Sequence, residues 1–222
     1  MKKPSQIDRR DFLKSAPLIA TSVLGLTSTL KGPSAVAAPA FADMSNIIGP
    51  MEGYTPYVGT ITSMMNWMRM VILMPVEGMS VGQLDYIHDA NSNSIGAMLF
   101  HLAATERFYQ IHTLEGKKWG DWSEDDTKRF GVASELGDNA RKEIKGNNLT
   151  FYLDILKEVR QNTLKEFKKR DDKWLLSVDK DWPWGPTNNY CKWFHVCEHE
   201  SNHNGQIKYI KGRLPGAKAT KE

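Results

Sequence analysis

The stretch Asn188-Asn189-Tyr190-Cys191-Lys192-Trp193-Phe194-His195-Val196-Cys197-Glu198-His199-Glu200-Ser201-Asn202-His203-Asn204-Gly205-Gln206-Ile207-Lys208-Tyr209-Ile210-Lys211 decides how the chain is read. It reads as one long helix. Lys208 and Lys211 fall in its last turn, Gly212 suits the position just past its end, and Pro215 follows. His195, His199 and His203 stand at i, i+4 and i+8. Residues four apart are about 6 Å apart along a helix axis and about 40° apart around it, so two such imidazoles can share one divalent ion. Three in a row cannot. The outer two are about 12 Å apart, far beyond two metal–nitrogen bonds of about 2.1 Å. One histidine is therefore surplus, and another element must supply the third donor. A His-x₃-His pair without that donor is a common accident of a solvated helix face.

Working outward, Thr150 to Lys169 is a second clear helix, with Phe151, Ile155, Leu156, Val159, Leu164 and Phe167 at helical spacing among charges. Asn91 to Ser94 offer caps for a helix from Ile95 to Leu114. Tyr57 to Met74 is apolar and Met-rich, with Arg69 its one charge, and is expected to end at Pro75 and Gly78. Four long helices and no strand pattern of real length predict an all-α chain, an antiparallel four-helix bundle over residues 56–216 with short extra helices in its connections. One turn is expected within Val81–Ala90. A short helix is expected from Ser134 to Ile144, inside the charged, irregular stretch Lys117–Asn148. Residues 43–55 read as an extended lead-in and 217–222 as a tail. The loop Asp181-Trp182-Pro183-Trp184-Gly185-Pro186 is kept from helix by its prolines, and can either pack or cover a site.

The second-helix segment Ser94–Thr105 carries no Asp, Glu, Lys or Arg but does carry His101. Such a histidine faces the bundle interior, where facing helices build metal sites. His112 lies about 16 Å further along the axis and cannot join the same site. His88 falls in a connection and is expected to be exposed.

Composition narrows the function classes. Of 222 residues, 41% are hydrophobic and 25% charged, ordinary for a globular protein. The net charge of +3 is concentrated at the start: residues 1–42 hold six Lys/Arg and two acids, leaving 23 basic and 24 acidic residues. A near-neutral body without a basic stripe argues against nucleic-acid binding. Lys168-Lys169-Arg170 reads as a helix C-terminus.

The start also carries an address. Arg9-Arg10-Asp11-Phe12-Leu13-Lys14 precedes the uncharged stretch Ser15–Leu30, then Ala35-Val36-Ala37 and Ala40-Phe41-Ala42 as cleavage sites. This is the order of a signal peptide, and the paired arginines resemble the twin-arginine export signal, with Asp8 a departure. We expect residues 1–42 to be removed and the protein to be exported to the periplasm or beyond, with no membrane span after cleavage. Pro17, Thr21, Ser22 and Thr27 leave the apolar core short of the roughly 20 apolar residues a span needs. Cys191 and Cys197 diverge by about 240° and rise by about 9 Å, too far to bridge each other. They read as small buried hydrophobes, with an intermolecular bridge as the alternative.

The segments Asn93-Ser94-Ile95-Gly96-Ala97-Met98-Leu99-Phe100-His101-Leu102-Ala103-Ala104-Thr105-Glu106 and His195 to Ile207, in this order, resemble the DinB-like superfamily. The resemblance implies a four-helix bundle with a three-histidine metal site, His101, His199 and His203, leaving His195 near the mouth. The superfamily often has His and Arg where this chain has Asn202 and Asn204, so a substrate contact made by that arginine does not carry over.

Three neutral imidazoles leave a divalent ion (Zn, Ni or Fe) an open position, which lowers the pKa of a bound water or thiol. The resemblance implies thiol-dependent transfer or metal-dependent hydrolysis. A thiol is less available outside the cytoplasm, so hydrolase-like chemistry is expected slightly ahead. Glu106 and Glu200 are candidate acid–base or orienting groups. They point about 140° from His101 and about 100° from His199, so Glu106 is also a candidate ion-pair residue. Two further classes stay open: an exported metal-binding protein without catalysis, and an interaction bundle, for example a homodimer through an apolar face. A real centre requires the three nitrogens within about 4 Å of each other.

Overall fold

Each long helix starts where the chain offers a cap. In the computed structural model, which describes residues 46–218, α1 spans Pro56–Val76 with Pro56 in its first turn. Its own Thr55 gives no side-chain cap. Instead Asp172, far along the chain, accepts hydrogen bonds from the Thr55 hydroxyl at 2.5 Å and from the Tyr57 and Val58 amides at 2.9 and 3.2 Å. Ser94 caps α3 (Ile95–Tyr109), Asn148 caps α6 (Leu149–Phe167) and Asn188 caps α8 (Asn189–Lys211), each accepting from an amide three residues on. Between them lie α2 (Val81–Leu84), α4 (Glu124–Glu135), α5 (Gly137–Glu143) and α7 (Asp172–Leu176). A two-residue ribbon, β1 (Val178–Asp179) antiparallel to β2 (Thr187–Asn188), flanks the tryptophan loop. The expected signal segment 1–42 and residues 219–222 lie outside the described residues. No helix among the described residues is long and apolar enough to cross a membrane.

Several local expectations change. Pro75 sits inside the last turn of α1 rather than ending it. The second long helix passes into a π-helical turn at Gln110–Leu114. The expected helix Ser134–Ile144 is broken at Leu136, whose φ of 57° is strained for a branched residue and is followed by Gly137 at 70°. Helix α4 was not expected. Its start signals are plain (Ser123 as cap, then Glu124, Asp125 and Asp126), but only Phe130 and Ala133 are buried, too few to show an apolar stripe. Cys197 is buried and Cys191 exposed, both free. His88 is half-buried, not exposed, packing on the rings of Tyr86 and Tyr209.

Side-chain pairs give the helix directions. Tyr57 meets Tyr190, Arg69 meets Glu200 and Lys211 meets the Pro75 carbonyl, so α1 and α8 run parallel. Tyr152 lies against Gly96, Arg160 against Glu106 and Thr163 against Gln110, so α3 and α6 also run parallel. At Gly96 a Cβ would fall 2.6 Å from the Tyr152 hydroxyl, so glycine is what allows the close approach. Across the two pairs the helices are antiparallel: Arg69 reaches the Leu156 carbonyl while Arg160 reaches Met65. The order is up, down, down, up. The chain must return along the bundle between α3 and α6, which is why that long connection, with α4 and α5, exists.

The core has two apolar clusters. One gathers Ile72, Val76, Met98, Leu102, Leu156 and Ile207; the other Val58, Ile61, Met65, Tyr109, Phe167 and Trp193. Between them every long helix contributes one charge. Arg69 Nη2 donates to Glu106 Oε2 at 2.8 Å and to Glu200 Oε1 at 2.7 Å. Arg160 donates to Glu106 Oε1 at 2.8 Å and Glu200 Oε1 at 3.0 Å. Glu106 is 0% exposed and Glu200 1%. Burial alone would raise the Glu106 carboxyl, but Arg160 and Arg69 hold it below its ordinary range.

Removing one arginine strands buried carboxylate charge. Arg160→Met should cost on the order of 3–5 kcal/mol in urea unfolding. Arg129→Met, which breaks the exposed pair with Glu158 and a contact with the Phe130 ring, should cost no more than about 1 kcal/mol. Equal costs would show that the buried quartet holds nothing together.

Candidate metal centre

His101 projects from α3, and His199 and His203 from α8. Their ligand atoms all lie within 4.8 Å of one another. His101 Nε2 and His199 Nε2 are 2.7 Å apart, a distance at which two lone pairs repel unless a proton or cation lies between. Three ligands at about 2.1 Å on a tetrahedron are about 3.4 Å apart, so modest ring rotations complete the set. The expected limit of about 4 Å is met by the first pair, while 4.8 Å bounds all three.

The tautomer of His101 follows from its neighbour. Nδ1 lies 2.8 Å from the Ala133 carbonyl, which can only accept, so Nδ1 carries the proton and Nε2 keeps its lone pair toward the other two rings. The carbonyl belongs to α4, the helix the sequence did not reveal. His203 is buried and its Nδ1 has no hydrogen-bond partner among the described residues, an uncommitted nitrogen of the kind a metal site needs. The donor set therefore fits a borderline cation such as Zn, Ni or Fe.

The mycothiol S-transferase family model matches residues 60–216. The chain belongs to this DinB-like family. The fold is shared with the "conserved protein of locus" from Enterococcus faecalis, whose crystal structure is 18% identical at a TM-score of 0.54, over 70% of this chain and 95% of that one. No curated protein matches the sequence.

In this S-transferase family member His195 stands beside the triad and not in it. Its ring is 5.4 Å from that of His199, and its Nδ1 is 2.9 Å from the Tyr109 hydroxyl. His112 is turned to the Lys117 carbonyl, at 3.1 Å. Glu106 and Glu200 spend their hydrogen bonds on Arg69, Arg160 and Thr163, and among the described residues none goes to a site histidine. Their reach to the centre is through the helices they anchor. Arg69, Arg160, Tyr109 and the Ala133 carbonyl were not anticipated. Arg69, the lone charge of an apolar helix, was the one available signal.

Burial makes all three imidazoles poor bases. It lowers His101, against hydrogen bonds to Ala133 and Ser134. Burial, then the rings of His203, His101 and His195, push His199 down to about 3. Burial and His101 push His203 down to about 4, with Gln206 opposing. At neutral pH the site thus offers unprotonated donors. Next to it, one turn along at Met98 and Gln206, is a groove of about 440 Å³ lined also by Asn91, Asn93, Asn202 and Tyr209.

These shifts fix a sign. The unfolded chain takes up protons at His199 and His203 below about pH 6.5, while the folded chain resists until about pH 4. Stability of the metal-free protein should therefore fall as pH drops through that window. Thermal melts of wild type and His199→Gln test this: the variant should lose less on acidification, and parallel profiles would contradict it.

Proposed function

We propose that this chain is a metal-dependent thiol S-transferase, its ion held by His101, His199 and His203. The observation that carries the reading is the convergence of three unprotonated imidazoles from two helices, in a chain of the mycothiol S-transferase family. A divalent ion (Zn, Ni or Fe) would supply the Lewis acidity that makes a thiol a thiolate nucleophile at neutral pH.

The chain's own groups do the rest. The Ala133 carbonyl fixes the His101 ring, and the Arg69–Glu106–Arg160–Glu200 quartet holds α3 and α8 in register. The groove beside the triad offers amide donors and acceptors and no charge (Asn91, Asn93, Asn202, Gln206), suited to the polar, uncharged body of a small thiol. Family membership moves the balance from hydrolysis, the chemistry the export signal favoured, toward transfer. Water at the same open position keeps hydrolysis as the competing outcome. Export through the Arg9-Arg10 segment remains part of the proposal and requires a thiol supply where the protein resides.

Elemental analysis of purified protein should find about one equivalent of a transition metal per chain, lost in His199→Ala with the helical signal intact. Turnover of electrophiles should require added thiol and fall to background in that variant. Turnover without thiol would replace the reading with a hydrolase, and protein without metal would end it. Lysine at both Arg9 and Arg10 should leave the chain in the cytoplasm on cell fractionation.

A further inference from the structure

At the end of the α3–α8 seam opposite the amide groove, Trp119 and Trp184 expose 47% and 55% of their surface. Neither is a stray surface ring. They are 6.1 Å apart, and both rest edge-on against the buried Trp182, at 4.8 and 5.8 Å. Trp119 is also stacked on His112, at 6.0 Å and 16°.

The support beneath is rigid. Lys192, 1% exposed, places its ammonium 3.9 Å from the centre of the Trp182 ring and 2.8 Å from Asp179 Oδ2. The β1–β2 ribbon and a Gly185-to-Trp182 backbone hydrogen bond of 2.8 Å close the loop, with Gly185 at φ 95°. The shelf leads to the metal centre. The Trp184 ring is 5.2 Å from that of His195, which is 5.4 Å from that of His199.

The two indole planes are 69° apart and so form an open corner: a flat ligand lying on the Trp184 face meets Trp119 at its side and takes both from solvent. A cation is disfavoured, because the Lys192 ammonium already sits under the central indole. An electron-poor neutral ring suits the electron-rich indole faces, and it is the kind of group a thiolate attacks. We infer that Trp119 and Trp184 form the acceptor subsite, binding the flat, neutral, electron-poor part of the electrophile while the amide groove takes the thiol. This deepens the S-transferase reading and rests on it for the word acceptor; the binding surface itself does not.

Equilibrium dialysis with 2,4-dinitroaniline, coloured, neutral and unreactive to thiols, tests the surface without turnover. Purified protein should bind it saturably, and equally well after chelation of metal. Trp184→Ala should weaken binding about tenfold, as loss of a stacking face does, and Trp119→Ala, which removes the side of the corner, by less but measurably. Trp184→Phe should recover most of it and Trp184→Leu, apolar without a ring face, should not. Should an alanine variant lose its fold, the Phe and Leu pair carries the test. In thiol-transfer assays the KM for an aryl electrophile should rise with the KM for thiol unchanged. Unchanged dialysis in the Trp variants overturns the shelf even where turnover occurs. Trp-dependent binding without turnover keeps the shelf and sinks the transferase.

Discussion

Four charges buried where two apolar clusters meet are the constraint on which this fold depends. Arg69, Glu106, Arg160 and Glu200 come one from each long helix, and the guanidiniums also take the Leu156 and Met65 carbonyls. Such a quartet adds little net stability over a well-packed apolar layer, because four desolvated charges cost much of what their attraction returns. What it adds is register. An apolar face tolerates a slide of one turn; two guanidiniums that each donate to both carboxylates do not.

That register positions the chemistry. Glu106 follows His101 by five residues on α3, and Glu200 adjoins His199 on α8, so fixing the carboxylates fixes where the imidazoles meet. The up, down, down, up order contributes as well. It makes α3 and α8 antiparallel neighbours, so that the amides, the triad and His195 follow one another along their seam, with Trp184 beyond His195. The return connection between α3 and α6 then lays α4 over His101.

The bundle was legible because its long helices carry periodic apolar residues, and Ser94, among the caps the sequence offered, does cap α3. The triad was legible for a different reason. Spacing limited α8 to two ligands, and the resemblance singled out His199 and His203, with His101 as the histidine of an uncharged turn. Connections were less readable. Helix α4 buries only two side chains, so it left no stripe, and the strained Leu136 has no residue-type signature. Arg160 sits among other charges on an amphipathic helix, and only three-dimensional packing distinguishes a buried charge from a solvated one. The tryptophan loop offered both packing and cover; Trp182 packs, while Trp184 stays open.

The support for His101 has an unusual genetic property. Because the accepting atom is the main-chain oxygen of Ala133, every amino acid supplies it equally, and no codon change at that position deletes it. A saturation scan would score residue 133 by the size, polarity and helix propensity of its side chain, none of which reports the oxygen. Its contribution would surface only with edits that displace the segment, such as an insertion near Leu136 or an ester replacing the peptide link that carries that oxygen.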